Sequence, residues 1–434
     1  MVNELRYRSY FLLENILMPT ASNKPALLTI FLVIMIDLMG FGIVLPLLPF
    51  YASQFEASSI QIGLLYSVFS MMQLVFSPIW GSISDHIGRK PVLAISTIGS
   101  TTAYILFGFS HSLTLLFISR ILAGIMGGNV SAAQAYIADV TTEQDRTKGM
   151  GLIGAAFGTG FVIGPTIATL LISHPSQIFF QNMGMQNVYA VPGFFAAILS
   201  FTSLILILTK LKESKTHHIT ANNTKKTTVF TSAFWQFIFN PQNHDKKILR
   251  LLFFSTFLTT FGQSSLYSSF PILCQNVLSL SADHVGFFYI YMGLLSIFIQ
   301  GGLIRFLIRK ISEEKLFLIG SILMTTGIGL LTLTYSKNNL FLFLGIMVLG
   351  GSINTPIVNS LISKKADTSN MGTTLGTSQG LAGMGRMIGP TWAGILSHFS
   401  FRIPFILTAM ILSSSIYAAF TILCSKNQNQ SKLL

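Results

Sequence analysis

The chain has 434 residues, of which 51% are hydrophobic and only 9% charged, with mean hydropathy +0.64 and a net charge of +13. A soluble domain keeps about a quarter of its residues charged, so a large soluble enzyme is excluded for want of surface. The basic balance points toward nucleic acid only until its distribution is read, and that distribution removes the idea.

Residues 1–25 carry two acids, Glu4 and Glu14, and no long apolar run. They read as a cytoplasmic N-terminal arm rather than a cleaved signal. Then come twelve apolar stretches, each near the roughly 20 residues a helix needs to cross a bilayer. Six are expected at 26–50, 60–80, 92–110, 113–137, 149–172 and 188–209. A basic, polar gap follows at 210–247, with an amphipathic patch at "FWQFIF". Six more are expected at 250–273, 285–304, 316–335, 340–362, 373–396 and 403–424. The expected organisation is therefore an N-terminal six-helix bundle over 26–209, a cytoplasmic linker over 210–247, a C-terminal six-helix bundle over 248–424 and a cytoplasmic tail over 425–434.

With loops assigned alternately in and out from an inner N-terminus, 23 of the 27 lysines and arginines fall inside. Lys337 and Arg402 fall outside, and Arg120 and Arg386 lie within spans. This is the positive-inside asymmetry, and it places both termini in the cytoplasm. The +13 thus reports topology and contact with anionic lipid, with no nucleic-acid partner. Cys274 and Cys424 make no metal or redox spacing, and no metal site is expected.

The two halves repeat. Gly151, Gly160, Gly164 and Pro165 of span five are matched 225 residues later by Gly376, Gly385, Gly389 and Pro390 of span eleven, and Gly158 by Gly383. Gly40 and Pro49 of span one align more weakly with Gly262 and Pro271 of span seven. Two parallel six-helix repeats around a linker describe a large class of secondary transporter.

Scarce charge concentrates in "GSISDHIGRK", residues 81–90. Gly81 and Gly88 allow a sharp turn between two spans. Asp85 and Asp139 are both within expected reach of Arg89, with Lys90 beside it. This loop resembles the signature between spans two and three of the major facilitator superfamily. "ISRILAGIMGGN" in span four resembles that family's second motif, with Arg120 as its arginine. Span five resembles its antiporter motif: Gly151, Gly160, then Gly164-Pro165. "IDLMGFGIVLPLLPFY" and "AYIADVTTEQDRTKG" resemble the twelve-span drug:proton antiporters, of the tetracycline-efflux-like branch. The likeness is dense over 30–172 and thin, though in register, over the second half.

The resemblance implies an all-α polytopic fold: twelve transmembrane helices in two pseudo-symmetric six-helix bundles, in the bacterial inner membrane. It also implies that the charged loop latches the halves in the outward-open state. Plain topology explains the basic residues but not Asp85 and Asp139. His86 stands where the family has an arginine, as a pH-sensitive element or a tolerated polar replacement. The glycines of span five imply a hinge that suppresses leak; tight helix packing is the other reading. The family's trailing Gly-Gly is Ala168-Thr169 here, and span eleven has the same glycines, so the pattern also reflects the repeat.

Ionisable residues inside a membrane are costly and mark function. Asp37 is the only carboxylate deep in any span, roughly 16 Å into its helix. Low dielectric favours the neutral form of a carboxylate, and a carboxylate that alternates between forms is what proton coupling requires. The other reading ties Asp37 to an arginine as a structural pair. Arg120 is expected either to take part in proton transfer or to bond backbone carbonyls of span one. Arg386, matched by Phe161 in span five, either attracts an anionic group or packs between spans two and eleven.

Gln73, Gln263, Tyr267, Tyr289, Gln300 and Asn354 are candidates for the substrate cavity, with Tyr291 and Asn359 behind them. Tetracycline exporters of this branch carry acids in spans three and nine and a histidine in span eight, where this chain has Ala103, Met324 and Ser296. A magnesium–tetracycline cargo would miss that charge. The expected function is alternating-access, proton-coupled efflux of a lipophilic or amphiphilic compound, a drug or a secreted metabolite. The partners are that small molecule, protons and lipid, and the chain acts as a monomer. The energy source is the proton gradient and no cofactor is implied. The alternatives are a symporter importing a small, anionic metabolite and, more remotely, a non-transporting sensor. No clustered nucleophile, base or metal set suggests a membrane enzyme.

Overall fold

An apolar run in a bilayer becomes a helix because each backbone N–H and C=O must be bonded within its own segment. A computed structural model describes residues 24–141, 146–182, 187–214, 231–239, 244–365 and 371–431. Most of the N-terminal arm and much of the linker lie outside these residues. Twelve long helical spans are present among the described residues, and no strand.

Spans one to six cover Lys24–Val44, Ser59–Ile87, Arg89–Gly108, Leu113–Val140, Arg146–Leu171 and Ala190–Lys210. Spans seven to twelve cover His244–Leu278, Ala282–Lys310, Glu313–Leu333, Lys337–Lys365, Met371–Phe399 and Ile403–Ser431. Each expected span overlaps one of these helices, and most of the helices run longer. Span two has 29 residues, about 44 Å of helix, which carries it through both interfaces. A Ser58/Gln61 capping box starts it: Gln61 N–H donates to Ser58 Oγ at 3.3 Å and Ser58 N–H to Gln61 Oε1 at 2.8 Å.

Span one departs from the expectation of one helix over 26–50. It breaks after Val44 and resumes as a short helix over Leu48–Ser53. Pro46 has no N–H to donate back along the helix, and the turn forms there. Spans four and eight are also interrupted, by a 3₁₀ turn at Gly127–Asn129 and a π turn at Ile299–Leu303. Short helices over His174–Asn182 and Ser232–Phe239 lie between spans; the first was not legible as a helix, and the second holds the amphipathic patch.

Nine described spans are apolar and long enough to cross a membrane on those grounds alone; spans five, seven and eleven are the others. These three are rich in Gly, Ser and Thr, and several of their small residues face other helices. Ser264 Oγ donates to the Gly385 carbonyl and Ser268 Oγ to that of Pro390, each at 2.9 Å, joining span seven to span eleven. Small residues and hydroxyls are what let membrane helices approach closely.

The repeat seen in sequence is a repeat in packing. A Cβ on Gly160 would lie 2.7 Å from Leu38 Cβ, and one on Gly164 2.6 Å from the Met39 carbonyl. One on Gly385 would lie 2.8 Å from the Phe257 carbonyl, and one on Gly389 2.7 Å from that of Phe261. Span five thus lies on span one as span eleven lies on span seven.

Two pairs of spans join the bundles. Gly63 of span two faces Pro390 and Gly394 of span eleven, and Thr391 Oγ1 meets Ser67 Oγ at 2.7 Å. Gly286 and Gly293 of span eight face Thr169 and Val162 of span five. These contacts lie toward the ends of the spans away from the basic loops. Nearer those loops Gly158 and Gly376 face open space and Ile79 is exposed. Among the described residues, the contacts that join the bundles at these pairs thus lie on the side away from the basic loops.

Candidate functional site

Where the bundles meet, span one supplies Asp37 and Phe41. Asp37 is half-buried, and its Oδ2 accepts a hydrogen bond from Asn129 Nδ2 at 3.1 Å. Asn129 is buried at the end of the 3₁₀ turn in span four, and the same amide donates to Ser96 Oγ of span three at 2.9 Å. The break in span four is what aims Asn129 at Asp37. It also frees the Gly127 carbonyl, which accepts from Gln73 Nε2 at 3.0 Å. The other oxygen of Asp37 has no partner among the described residues. Asp37 forms no ion pair there either, so the pairing with an arginine is not what holds it.

Arg120 is 2% exposed, and its Nε and Nη2 have no hydrogen-bond partner among the described residues. It does not bond span one through them. Its guanidinium sits over the Phe107 ring, 4.9 Å from the centroid, a contact that partly offsets a buried cation. Tyr66 and Tyr104 are its electrostatic neighbours, and Tyr104 also lies against Gly40, one turn from Asp37. Tyr104 therefore stands between the acid and the arginine.

Arg386 is half-buried on span eleven, and Tyr267 of span seven is its electrostatic neighbour. Tyr267 in turn contacts Phe41 and Tyr66, with ring centroids 6.5 and 6.1 Å apart. Phe41 stacks on Phe69 at 4.8 Å and meets Phe161 edge-on at 5.7 Å. An aromatic cluster thus spans both bundles with an arginine at each edge.

The other expected cavity residues divide. Gln263 reaches Gly351 of span ten, and Tyr289 is buried with a hydroxyl that has no hydrogen-bond partner among the described residues. Asn354 is buried against span nine, where its amide donates to Ser321 Oγ at 3.2 Å; it ties helices together. Gln300 is exposed in the π turn of span eight. Gly151 lies in span five, and its surroundings fall outside the described residues.

The charged loop forms a compact network. Arg89 Nη1 donates to Asp85 Oδ1 at 2.6 Å and to Ser84 Oγ at 2.8 Å, and Nε to Asp139 Oδ2 at 3.0 Å. The Arg89 side chain is only 11% exposed, so these bonds are worth more than those of an open surface pair. Lys90 Nζ donates to the Leu208 carbonyl at 2.9 Å. Gly81 packs on Ser131, within the same bundle. Gly88 has φ +104°, a conformation that L side chains rarely adopt.

Glu213, just past span six, was not anticipated. Its carboxylate accepts the main-chain N–H groups of Arg89 at 2.9 Å and Lys90 at 3.1 Å, capping span three. Ser214 Oγ donates to Asp139 at 3.0 Å. These contacts join the loop to the first bundle and the start of the linker.

The profile of the Major Facilitator Superfamily matches residues 30–390. The chain is 28% identical over 372 residues to the class B tetracycline resistance protein of Escherichia coli, covering 85% of this chain and 88% of that one. It is 27% identical over 415 residues to Multidrug resistance protein 1 of Bacillus subtilis (strain 168), covering 91% and 95%. Among solved structures, a bacterial homologue of the human lysosomal transporter Spinster, in its inward-facing and occupied conformation, superposes with a TM-score of 0.77. That match has 12% identity and covers 93% of this chain and 97% of the other.

Proposed function

The chain belongs to the Major Facilitator Superfamily, and from that premise we propose that this multi-pass membrane transporter expels a lipophilic or amphiphilic organic compound in exchange for protons. The observation that carries the reading is Asp37. It is the one carboxylate deep in the spans, held by Asn129 through a single oxygen while the other is unpartnered among the described residues. A carboxylate in that position can be ionised or protonated without dismantling an ion pair. The aromatic cluster of Phe41, Phe69, Phe161, Tyr66 and Tyr267 suits an apolar guest.

In this scheme the described conformation, with Gly158 and Gly376 facing open space nearer the basic loops, is the inward-facing one. Cargo loads as Asp37 releases its proton inward, and a proton from outside returns the carrier. The network around Arg89 holds the outward-open state. The glycines of span five serve as both packing surface and pivot. The proton gradient supplies the energy, with no cofactor. We place the chain in a bacterial inner membrane with both termini cytoplasmic, as a monomer of two bundles, 26–209 and 248–424, joined by the linker.

Tetracycline is not the cargo we propose. Ala103 and Met324 are buried in helix packing and Ser296 bonds Ser352 at 3.0 Å, so the acids and histidine of tetracycline exporters have no counterpart at those places. Arg386 supports a second reading. A half-buried arginine beside Tyr267 suits an anionic metabolite, carried inward with protons.

The test uses inside-out vesicles with an acid interior and a fluorescent pH probe, challenged with amphiphilic drugs, secreted metabolites and organic anions. Export predicts a compound-triggered proton leak. Labelled anion that accumulates only in right-side-out vesicles with acid outside would select the symporter instead.

A further inference from the structure

Away from the central site, a cavity of about 550 Å³ lies between the helix Ser232–Phe239, the start of span seven and span eleven. Its size falls in the range of about 300–1,000 Å³ typical of small-molecule sites. Each helix gives it one stripe of side chains. Span seven contributes Lys247, Arg250, Phe254 and Phe257, span eleven Met384, and the short helix Trp235. The order along span seven is the informative feature. The two cations sit in its first two turns and the phenylalanines follow, so polarity falls steadily over the ten residues from Lys247 to Phe257, about 15 Å of helix. That gradient runs the same way as the polarity of half a bilayer. Lys247 also lies in the first turn of that helix, where an anion is favoured over a cation.

We propose that this cavity is a binding site for an anionic phospholipid. The phosphate bonds Lys247 and Arg250, and an acyl chain runs up the pocket past Phe254 to Phe257 and Met384. Charge and polarity select this occupant: the lining has cations at its water end only, and the helix bearing Trp235 covers the site from the interface. The site ties the linker to the second bundle through lipid, so binding steadies the short helix against span seven. The inference does not depend on the cargo, the direction of transport or Asp37.

The chain has three tryptophans, Trp80, Trp235 and Trp392. Trp80→Phe and Trp392→Phe leave Trp235 as the reporter. The full chain is placed in nanodiscs containing phosphatidylglycerol or phosphatidylcholine with brominated acyl chains, which quench a nearby tryptophan. The expected result is a preference of Trp235 for the brominated phosphatidylglycerol. Lys247→Gln and Arg250→Gln should each reduce that preference about fivefold, the worth of one cation near an anionic headgroup. Equal quenching by the two lipids, or a preference that survives both substitutions, would overturn the proposal. So would quenching relieved by a soluble anionic amphiphile such as octanoate but indifferent to the lipid headgroup, which would make the cavity a vestibule for cargo. If the tryptophan variant does not fold, native mass spectrometry of the otherwise wild-type chain decides the matter. Lys247→Gln/Arg250→Gln should retain fewer phosphatidylglycerol molecules than wild type, and equal retention would refute the site.

Discussion

Gly164 and Gly158 lie six residues apart on span five, in surroundings that give the same substitution opposite consequences. A Cβ on Gly164 would come within 2.6 Å of the Met39 carbonyl and 2.8 Å of the Gly42 Cα, both backbone atoms of span one. A Cβ on Gly158 meets nothing within 4 Å. Replacing glycine by alanine in a helix gains about 1 kcal/mol in propensity at either place. That gain cancels when the two variants are compared. What remains is the overpacking at Gly164, about 1–3 kcal/mol, because backbone cannot swing aside as a side chain does. Gly389→Ala, facing the Phe261 carbonyl at 2.7 Å, should behave as Gly164→Ala does. The assay is unfolding of the purified chain in mixed micelles by titration with sodium dodecyl sulfate, followed by circular dichroism. The reasoning is refuted if Gly164→Ala is as stable as Gly158→Ala.

Glu213→Ala removes the acceptor for two main-chain N–H groups at the start of span three and should cost about 1 kcal/mol, the usual worth of a helix cap; an unchanged unfolding midpoint would count against the cap. Arg89→Lys keeps the charge but loses the fork that reaches Asp85, Ser84 and Asp139 together, with an expected loss of about 1–3 kcal/mol; full stability would show that a point charge suffices. Asn129→Ala leaves Asp37 and Ser96 without their shared donor, at a cost of about 1–3 kcal/mol, and should weaken drug-triggered proton leak in vesicles; unimpaired leak would detach Asn129 from the coupling site.

The twelve spans were legible because hydrocarbon imposes an apolar run of fixed length, and the repeat was legible because Gly160, Gly164, Gly385 and Gly389 lie too close to span one or span seven for a Cβ to enter without a shift. Helix interruptions were harder to read. Pro46 marks the break in span one, yet Pro165 and Pro390 lie inside continuous helices, since tertiary packing decides which prolines bend a membrane helix. Arg89, Asp85 and Asp139 were found together because a cation amid apolar sequence has few partners to choose from. Asn129 and Glu213 were missed for the opposite reason. One acts through an amide aimed by a local 3₁₀ turn, the other through backbone N–H groups 123 and 124 residues away, and neither leaves a spacing in the chain. A lone asparagine after "GIMGG" in an apolar span was the only sign of the first. Asn354 shows the converse: a polar residue in a span marks a need for a partner, and helix packing met it there.

The central claim is that Asp37 carries the coupled proton, and the most direct test separates coupling from binding. Wild type and Asp37→Asn are reconstituted in proteoliposomes with a compound identified in the vesicle screen, and two quantities are measured. One is accumulation driven by a pH gradient; the other is counterflow of labelled against unlabelled compound with no gradient. The account predicts that Asp37→Asn abolishes the first and keeps the second, because the amide can still line the path but cannot exchange a proton. Gradient-driven accumulation that persists in Asp37→Asn would contradict it and place the coupling elsewhere.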